Sequence, residues 1–203
     1  MPRTKEQFEA MRVFTREKIH GAALNLFTQK GFFATSVQDI ARYADISIGL
    51  MYRHYKSKED LFGELVYEAA YGLEEQAKQF QSNASPVDLI KKFTIEIMED
   101  FKKNDEFARL TVLMAQAFMM DGFLPQVNYL LKKNQELFTQ TERLIESGQS
   151  FGQFKEGNPK EMVLTYYAAI QGLAEMKLVL NDRFITPNPK ILYSILIKEE
   201  FHD

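Results

Sequence analysis

The chain has 203 residues and a formal net charge of −3, and it contains neither cysteine nor tryptophan. The absence of cysteine excludes a disulfide framework, a thiolate nucleophile and any Cys-ligated zinc or iron–sulfur site. Hydrophobic residues make up 45% of the chain and charged residues 26%, a composition typical of soluble globular proteins. No apolar run approaches the roughly 18 residues that span a bilayer, and the charged N-terminus lacks the apolar core of a signal peptide. We therefore expect a cytoplasmic protein with no membrane partner.

The charge is unevenly distributed along the chain. Residues 1–62 hold ten Lys or Arg side chains against seven Asp or Glu, which is a net charge of +3 and leaves −6 for the remainder. Such a split can arise by chance. A basic end on an acidic body is also typical of a protein whose N-terminal region binds a polyanion.

Apolar residues recur at helical spacing throughout the chain, and no segment alternates in the way that a β-strand would. In the first predicted helix the apolar stripe covers residues 19–27, and Gly31 is expected to end the helix. Thr35 or Ser36 can cap a second, short helix, and Ser47 can cap a third.

Five or six further helices follow in the same way. Ser57 can cap a fourth helix, and Pro86 stands at the first position of a fifth. The later apolar patterns predict helices over residues 107–120, 127–145, 162–180 and 191–201. The sequence therefore predicts an all-α protein with about nine helices.

Residues 35–55 fit a helix-turn-helix, because they hold two short capped helices joined by a turn of about four residues. Ile40 supplies an apolar face that can support the second helix from below. Asp45 stands where the turn needs a residue that tolerates positive φ. Ser47 and Gly49 give the second helix a small, polar start, as a helix that enters the DNA major groove requires.

These residues resemble the N-terminal domain of tetracycline-repressor (TetR) family transcriptional regulators. The resemblance extends over residues 22–32, 35–41, 44–55 and 58–61 and keeps the family's spacing. One departure is Asp45, where the family usually has glycine; aspartate reaches the left-handed region at modest cost. The resemblance implies two domains, a helix-turn-helix DNA-binding domain over residues 1–60 and a helical ligand-binding and dimerisation domain over residues 61–203.

The resemblance implies double-stranded DNA as the partner of the first domain. Ile48 and Leu50 can touch thymine methyl groups, and Arg53 can reach guanine. Five basic side chains within residues 3–18 are either solvated or form an arm in the minor groove. The predicted DNA-binding residues, which contact base edges or the phosphate backbone, are Thr35, Ser36, Gln38, Ser47, Ile48, Gly49, Leu50, Tyr52, Arg53, His54 and Lys58.

Methionine and aromatic side chains of the second domain either form its core or line an adaptable apolar pocket. The resemblance favours a pocket among the middle helices, where a small-molecule effector binds and releases the DNA. The candidate pocket residues are Phe101, Phe107, Met114, Phe118, Phe138, Tyr166 and Tyr167.

The last two predicted helices are apolar on more than one face. The resemblance implies that they form a four-helix bundle with the same helices of a second chain, and such a two-fold homodimer predicts a palindromic operator. The candidate interface residues are Tyr166, Ile170, Gly172, Leu173, Ile191, Leu192, Ile195 and Leu196. We therefore expect a transcriptional repressor that a small hydrophobic ligand releases from its operator.

Two other classes of function are weighed against this interpretation. A helical protein-interaction module that has lost DNA binding would lack the hydroxyl, tyrosine and lysine phosphate contacts that this chain retains. A helical-bundle metal enzyme is suggested by two Glu-x-x-His motifs, at residues 17–20 and 199–202. The second motif stands at the end of the chain, and the first belongs to the helix-turn-helix support. The sequence thus predicts no enzyme, no catalytic residue, no metal site and no cofactor.

Overall fold

The computed structural model describes residues 5–120 and 122–198 of the chain. Within these residues the chain forms nine α-helices, one 3₁₀ turn at Asn181–Arg183 and no β-strand, which confirms the all-α prediction. The helices are α1 (Lys5–Lys30), α2 (Val37–Tyr43), α3 (Ile48–His54), α4 (Lys58–Gln79), α5 (Pro86–Lys103), α6 (Glu106–Phe118), α7 (Pro125–Ser150), α8 (Pro159–Leu180) and α9 (Pro189–Tyr193).

The starts of the short helices follow from their capping residues. The side chains of Ser36, Ser47 and Ser57 each accept a hydrogen bond from the backbone N–H three residues on, which satisfies one of the free donors at a helix start. Gly31 follows α1 with a φ of 82°, a value that glycine adopts without strain. These local predictions are confirmed. The first helix is longer than its buried stripe, since α1 begins at Lys5.

The prediction of a long C-terminal helix is wrong. A helix was expected over residues 191–201, but α9 covers only Pro189–Tyr193, and residues 199–201 lie outside the described part of the chain. Ile197 instead pairs with Phe154 in an isolated antiparallel bridge. Both side chains are buried. The bridge thus holds Ile197 in the core, and the chain leaves the helical path before this residue. A contact distant in sequence thus overrides the helical pattern.

Two clusters of buried side chains hold the helices together. The first joins α1, α2, α3 and the first half of α4 to residues of α6 and α7, and Phe27 packs edge-on against Phe62 at its centre. The second joins the end of α4, α5, much of α7, α8 and α9. Because α4, α6 and α7 contribute to the first cluster, the N-terminal helices are packed directly on the body. Since the first cluster contains residues on both sides of residue 60, the domain boundary predicted there stays a prediction.

Among residues 5–120 and 122–198, no helix combines the length and the apolar character that a membrane span needs.

Candidate nucleic-acid interface

The start of α2 is fixed by a reciprocal pair of hydrogen bonds between Ser36 and Asp39. The Ser36 hydroxyl oxygen accepts from the Asp39 N–H at 3.1 Å, and the Asp39 carboxylate accepts from the Ser36 N–H at 3.2 Å and from its hydroxyl at 2.7 Å. These hydrogen bonds lower the pKa of Asp39. On the inner face of α2, Ile40 and Ala41 are buried and support α3, as predicted.

The turn between α2 and α3 depends on Asp45. Its φ of 54° places the residue in the left-handed region, as the sequence predicts. The chain can therefore reverse, and the Ile46 N–H donates to the carbonyl of Ala41 at 3.0 Å. This geometry turns α3 so that Met51 is fully buried against the first cluster while the opposite face is free.

The outer face of α3 carries most of the residues predicted to contact DNA. Leu50 and His54 are half-buried at its margins. A β-carbon added at Gly49 would meet no atom within 4 Å, so the folded chain itself gives no packing reason for glycine there. Glycine does allow another molecule to approach the backbone closely. The exposed residues of this face are Ser47, Ile48, Gly49, Tyr52 and Arg53, and Gln38 is exposed on α2.

His54 lies at the end of α3 beside the first helix. Burial lowers the pKa of His54, and the positive charges of Arg12 and Arg16 lower it further. Its imidazole is therefore mainly neutral at pH 7 and can hydrogen-bond a phosphate without adding a charge.

A cleft of about 420 Å³ opens beside α3, between the α1–α2 loop and the start of α4. It brings together Ser36, Tyr52 and Lys58, which the sequence singled out, with Lys56 and Ser57, which it did not. Lys56 is exposed and could have been found from its place beside Lys58 in the α3–α4 connection. The lining residues are Phe33, Ala34, Thr35, Ser36, Val37, Tyr52, Lys56, Ser57, Lys58 and Glu59.

Lys58 already has partners within the protein. Its Nζ donates to the carbonyls of Phe32 and Thr35, both at 2.9 Å, and to that of Phe33 at 3.4 Å. The same ammonium lies 4.4 Å from the centre of the Phe32 ring. Lys58 thus ties the α1–α2 loop to α4, and a phosphate contact would have to share its charge with these carbonyls.

The two hydroxyl groups predicted at the start of α2 also have internal partners. Thr35 is only 1% exposed, and its hydroxyl donates to the carbonyl of Gly31 at 2.8 Å. The Ser36 hydroxyl gives its proton to Asp39. In this structure the Thr35 side chain faces the core, so its hydroxyl does not present a phosphate contact at the surface. These internal hydrogen bonds account for both hydroxyl groups without DNA.

The N-terminal part of the chain, which holds α2 and α3, is similar to a family of known proteins. Residues 19–65 match the family model of bacterial regulatory proteins of the tetR family. The transcriptional regulator AcrR of Shigella flexneri is 34% identical over 42% of this chain and 40% of its own length. The repressor KstR2 of Mycolicibacterium smegmatis is 26% identical over 74% of this chain and 73% of its own.

Solved structures extend the likeness to the body. The ketosteroid transcriptional regulator KstR2 of Mycobacterium tuberculosis superposes with a TM-score of 0.69 at 20% identity, over 91% of this chain and 95% of that one. Residues 19–65 belong to the tetR family by their match to its model, and the body shares the fold of these structures. A complex of SmeT with triclosan shares the fold at a TM-score of 0.56 and 18% identity, over 91% and 92% of the two chains. The family match and the relatives, which are named as transcriptional regulators, support the predicted regulator class and no enzyme class.

The candidate pocket residues lie in two different places. Five of them belong to the second cluster, whereas Met114 and Phe118 pack against the first. The Tyr166 hydroxyl lies 2.6 Å from that of Thr94, and Phe138 stacks on Tyr167 at 4.7 Å. The seven residues thus contribute to packing as the structure stands, and their role in ligand binding stays a prediction.

The candidate interface residues divide between the two faces of the last helices. Tyr166, Ile170, Leu192 and Leu196 are buried inside the protomer, so they are not free to contact a second chain in this structure. Gly172, Leu173 and Ile195 are half-buried, and Ile191 is exposed.

Three exposed apolar residues of α8 were not among the predicted interface residues. Leu164 and Val179 are 63% and 65% exposed, and Met176 is 49% exposed. At 100° per residue these three share one side of α8 with Ala168 and Gly172. The spacing of large apolar residues around two small ones was the available signal. The outer face of α8, defined by these five residues, is the apolar surface that a second helix could cover.

Proposed function

We propose that this chain acts in the cytoplasm as a homodimeric transcriptional repressor, which binds a palindromic operator and leaves it when a small hydrophobic molecule binds the body. The observation that carries the DNA-binding part is the outer face of α3. This face is exposed although it carries two large apolar side chains, Ile48 (44% exposed) and Tyr52 (51% exposed). At Gly49 nothing in the chain covers the backbone. A DNA groove would cover all three.

On this proposal α3 enters the major groove and its neighbours bind the phosphates. Ile48 reads thymine methyl groups, and Arg53 donates to guanine. Tyr52 and Lys56 stand at the rim of the cleft, where the phosphate backbone would pass, and contribute affinity that does not depend on sequence. Lys58 adds a phosphate contact there and also holds the α1–α2 loop in place.

The dimer follows from the outer face of α8. Its large apolar side chains are solvent-exposed in the single chain, and Ala168 and Gly172 let a second helix approach closely. A two-fold axis through this face would present two copies of α3 to the same side of a DNA duplex. The half-sites are then expected about 34 Å apart, or a multiple of it.

An effector is proposed on the chemistry of the body. The second cluster is rich in aromatic side chains, whose flat faces suit hydrophobic ligands. The related SmeT is known in complex with triclosan, a small molecule. If an effector binds better to the conformation in which the two α3 helices are wrongly spaced, it lowers operator affinity by shifting that population.

The first test is selection of binding sites from random duplex DNA with the full chain, at low and moderate salt. The proposal predicts a palindromic consensus with a fixed half-site spacing. The selection is repeated after the protein has been unfolded and refolded, which removes any bound inducer. If neither preparation enriches a sequence, DNA recognition is ruled out and a protein-interaction role is favoured.

A further inference from the structure

His20 of α1 lies between two carboxylates of α4. Its Nε2 is 2.5 Å from Oε1 of Glu64, and its Nδ1 is 3.6 Å from Oε2 of Glu68. One ligand atom from each of the three residues lies within 4.8 Å of the other two. In the sequence, the Glu-x-x-His motif pairs His20 with Glu17 of the same helix. In the structure, His20 instead contacts Glu64 and Glu68 of α4.

We propose that His20 and Glu68 bind a divalent transition-metal ion of the Zn²⁺ class, with Glu64 orienting the imidazole ring. Two ligands of a tetrahedral zinc ion, each about 2.0–2.1 Å from the metal, lie about 3.3 Å apart. The Nδ1 to Oε2 separation is close to that value. The Nε2 to Oε1 separation is a hydrogen-bond distance and is too short for two ligands of one ion.

The role of Glu64 matches what metal-binding histidines require. A histidine that binds zinc through one ring nitrogen usually donates its other N–H to a carboxylate, which fixes the tautomer and the ring orientation. In the proposed site His20 takes the tautomer with its proton on Nε2, which donates to Glu64. The imidazole therefore presents the lone pair of Nδ1 towards Glu68.

Glu64 is itself held in place by two further donors. The Arg16 guanidinium binds its carboxylate through Nε at 3.1 Å and Nη2 at 2.5 Å. The Tyr55 hydroxyl donates to Oε1 of Glu64 at 2.9 Å and lies 2.7 Å from Nε2 of His20. Arg16 neutralises Glu64, which leaves Glu68 as the carboxylate available to a cation.

The position of the three residues also allows an ion to enter. The Glu68 side chain is 52% exposed and that of His20 is 19% exposed, so water can complete the coordination. An imidazole ligand favours zinc and similar transition metals over Mg²⁺, which prefers oxygen ligands. A bound ion would link α1 to α4 beside Tyr55, the residue that directly follows α3.

Isothermal titration of the full, chelator-treated chain with ZnCl₂ tests the site. We expect one Zn²⁺ per chain and no comparable heat with MgCl₂. Glu68→Gln should weaken Zn²⁺ binding by about tenfold or more, since even partners outside the ligand set contribute 10- to 100-fold. His20→Ala should abolish binding. Glu75→Gln, on the same helix, is the matched control and should titrate like the parent chain.

Two results would overturn the proposal. One is a parent chain that takes up no Zn²⁺. The other is a Glu68→Gln chain that binds Zn²⁺ as the parent does, since the ion would then be held elsewhere. Glu68 is half-exposed, so this variant should fold even if His20→Ala does not, and circular dichroism checks that it has. The titration measures ion binding alone, so its outcome does not depend on the proposed DNA binding.

Discussion

Helices α3 and α8 both have one buried and one exposed face, but the two exposed faces differ in character. That of α3 mixes Ser47, Gly49 and Arg53 with a few apolar groups, whereas that of α8 places large apolar side chains around Ala168 and Gly172. A polar face with an open backbone suits the edges of DNA bases. An apolar face with small residues suits a second helix. The same division into two faces therefore suggests two different partners.

The largest expected effect concerns the inner face of α8. Tyr166 is fully buried, and its hydroxyl pairs with that of Thr94. Tyr166→Ala should lower the free energy of unfolding by about 3–5 kcal/mol, because it leaves a cavity in the second cluster. Urea unfolding measures the change. Thr165→Ala, next to it on the exposed side, should stay within about 0.5 kcal/mol of the parent. Equal losses in both variants would contradict the assignment of faces.

The second prediction concerns the outer face of α8. The double change Leu164→Glu and Val179→Glu places like charges on an apolar surface that a second copy is proposed to cover. We expect the molar mass from light scattering to fall from that of a dimer to that of a monomer. Ile95→Glu, at an exposed apolar position on α5, is the control and should leave the mass unchanged. A parent chain that is already monomeric would refute the dimer.

These two predictions also show what could and could not be read from the sequence. Ser36 and Asp45 act through their immediate neighbours, so the cap and the turn were predictable from local rules. The faces of α8 were not, because both are apolar and only packing decides which is buried. Ile197 and His20 likewise owe their positions to partners far away in the sequence, and no periodic pattern records such contacts.

The outer face of α3 was predictable for a related reason. Its residues stand at fixed distances from the Ser47 cap and from the buried Met51, so helical geometry determines which of them are exposed. The hydroxyl of Thr35 was misplaced because the same geometry does not show that Gly31 offers it a carbonyl.

The third prediction separates DNA binding from folding on α3. Gly49→Ala has space for its methyl group in the free chain and should stabilise the helix by up to about 1 kcal/mol. Operator affinity should fall by about tenfold, because loss of one good base contact costs about 1–3 kcal/mol. Gly72→Ala, in α4 and equally open, should give the stability gain alone. Fluorescence anisotropy with the selected operator measures the affinity, and equal affinity in both variants would exclude close approach at Gly49.

The fourth prediction compares two lysines of the cleft. Lys56→Ala should weaken DNA binding on every sequence and reduce the salt dependence of log K by about one phosphate contact, without changing stability. Tyr52→Ala should show the general weakening, and Lys58→Ala should show the same reduction in salt dependence. Lys58→Ala should also lower the free energy of unfolding, since three carbonyls lose their donor. Binding over a salt series measures the slopes, and urea unfolding distinguishes Lys58→Ala from Lys56→Ala. An unchanged salt slope in both lysine variants would move the phosphate path away from the cleft.

The smallest expected effect tests the packing of α4 on α7 through pH. Hydrogen bonds from Tyr129 and Lys133 lower the pKa of Glu74 to about 2. A carboxylate whose pKa is lower in the folded state stabilises that state above its unfolded pKa of about 4.5, and this contribution disappears as pH falls towards 2. Glu74→Gln should therefore flatten the decline of thermal stability between these pH values, whereas Glu75→Gln should not. A decline identical in the parent and the Glu74→Gln chain would mean that Tyr129 and Lys133 do not hold the carboxylate in solution.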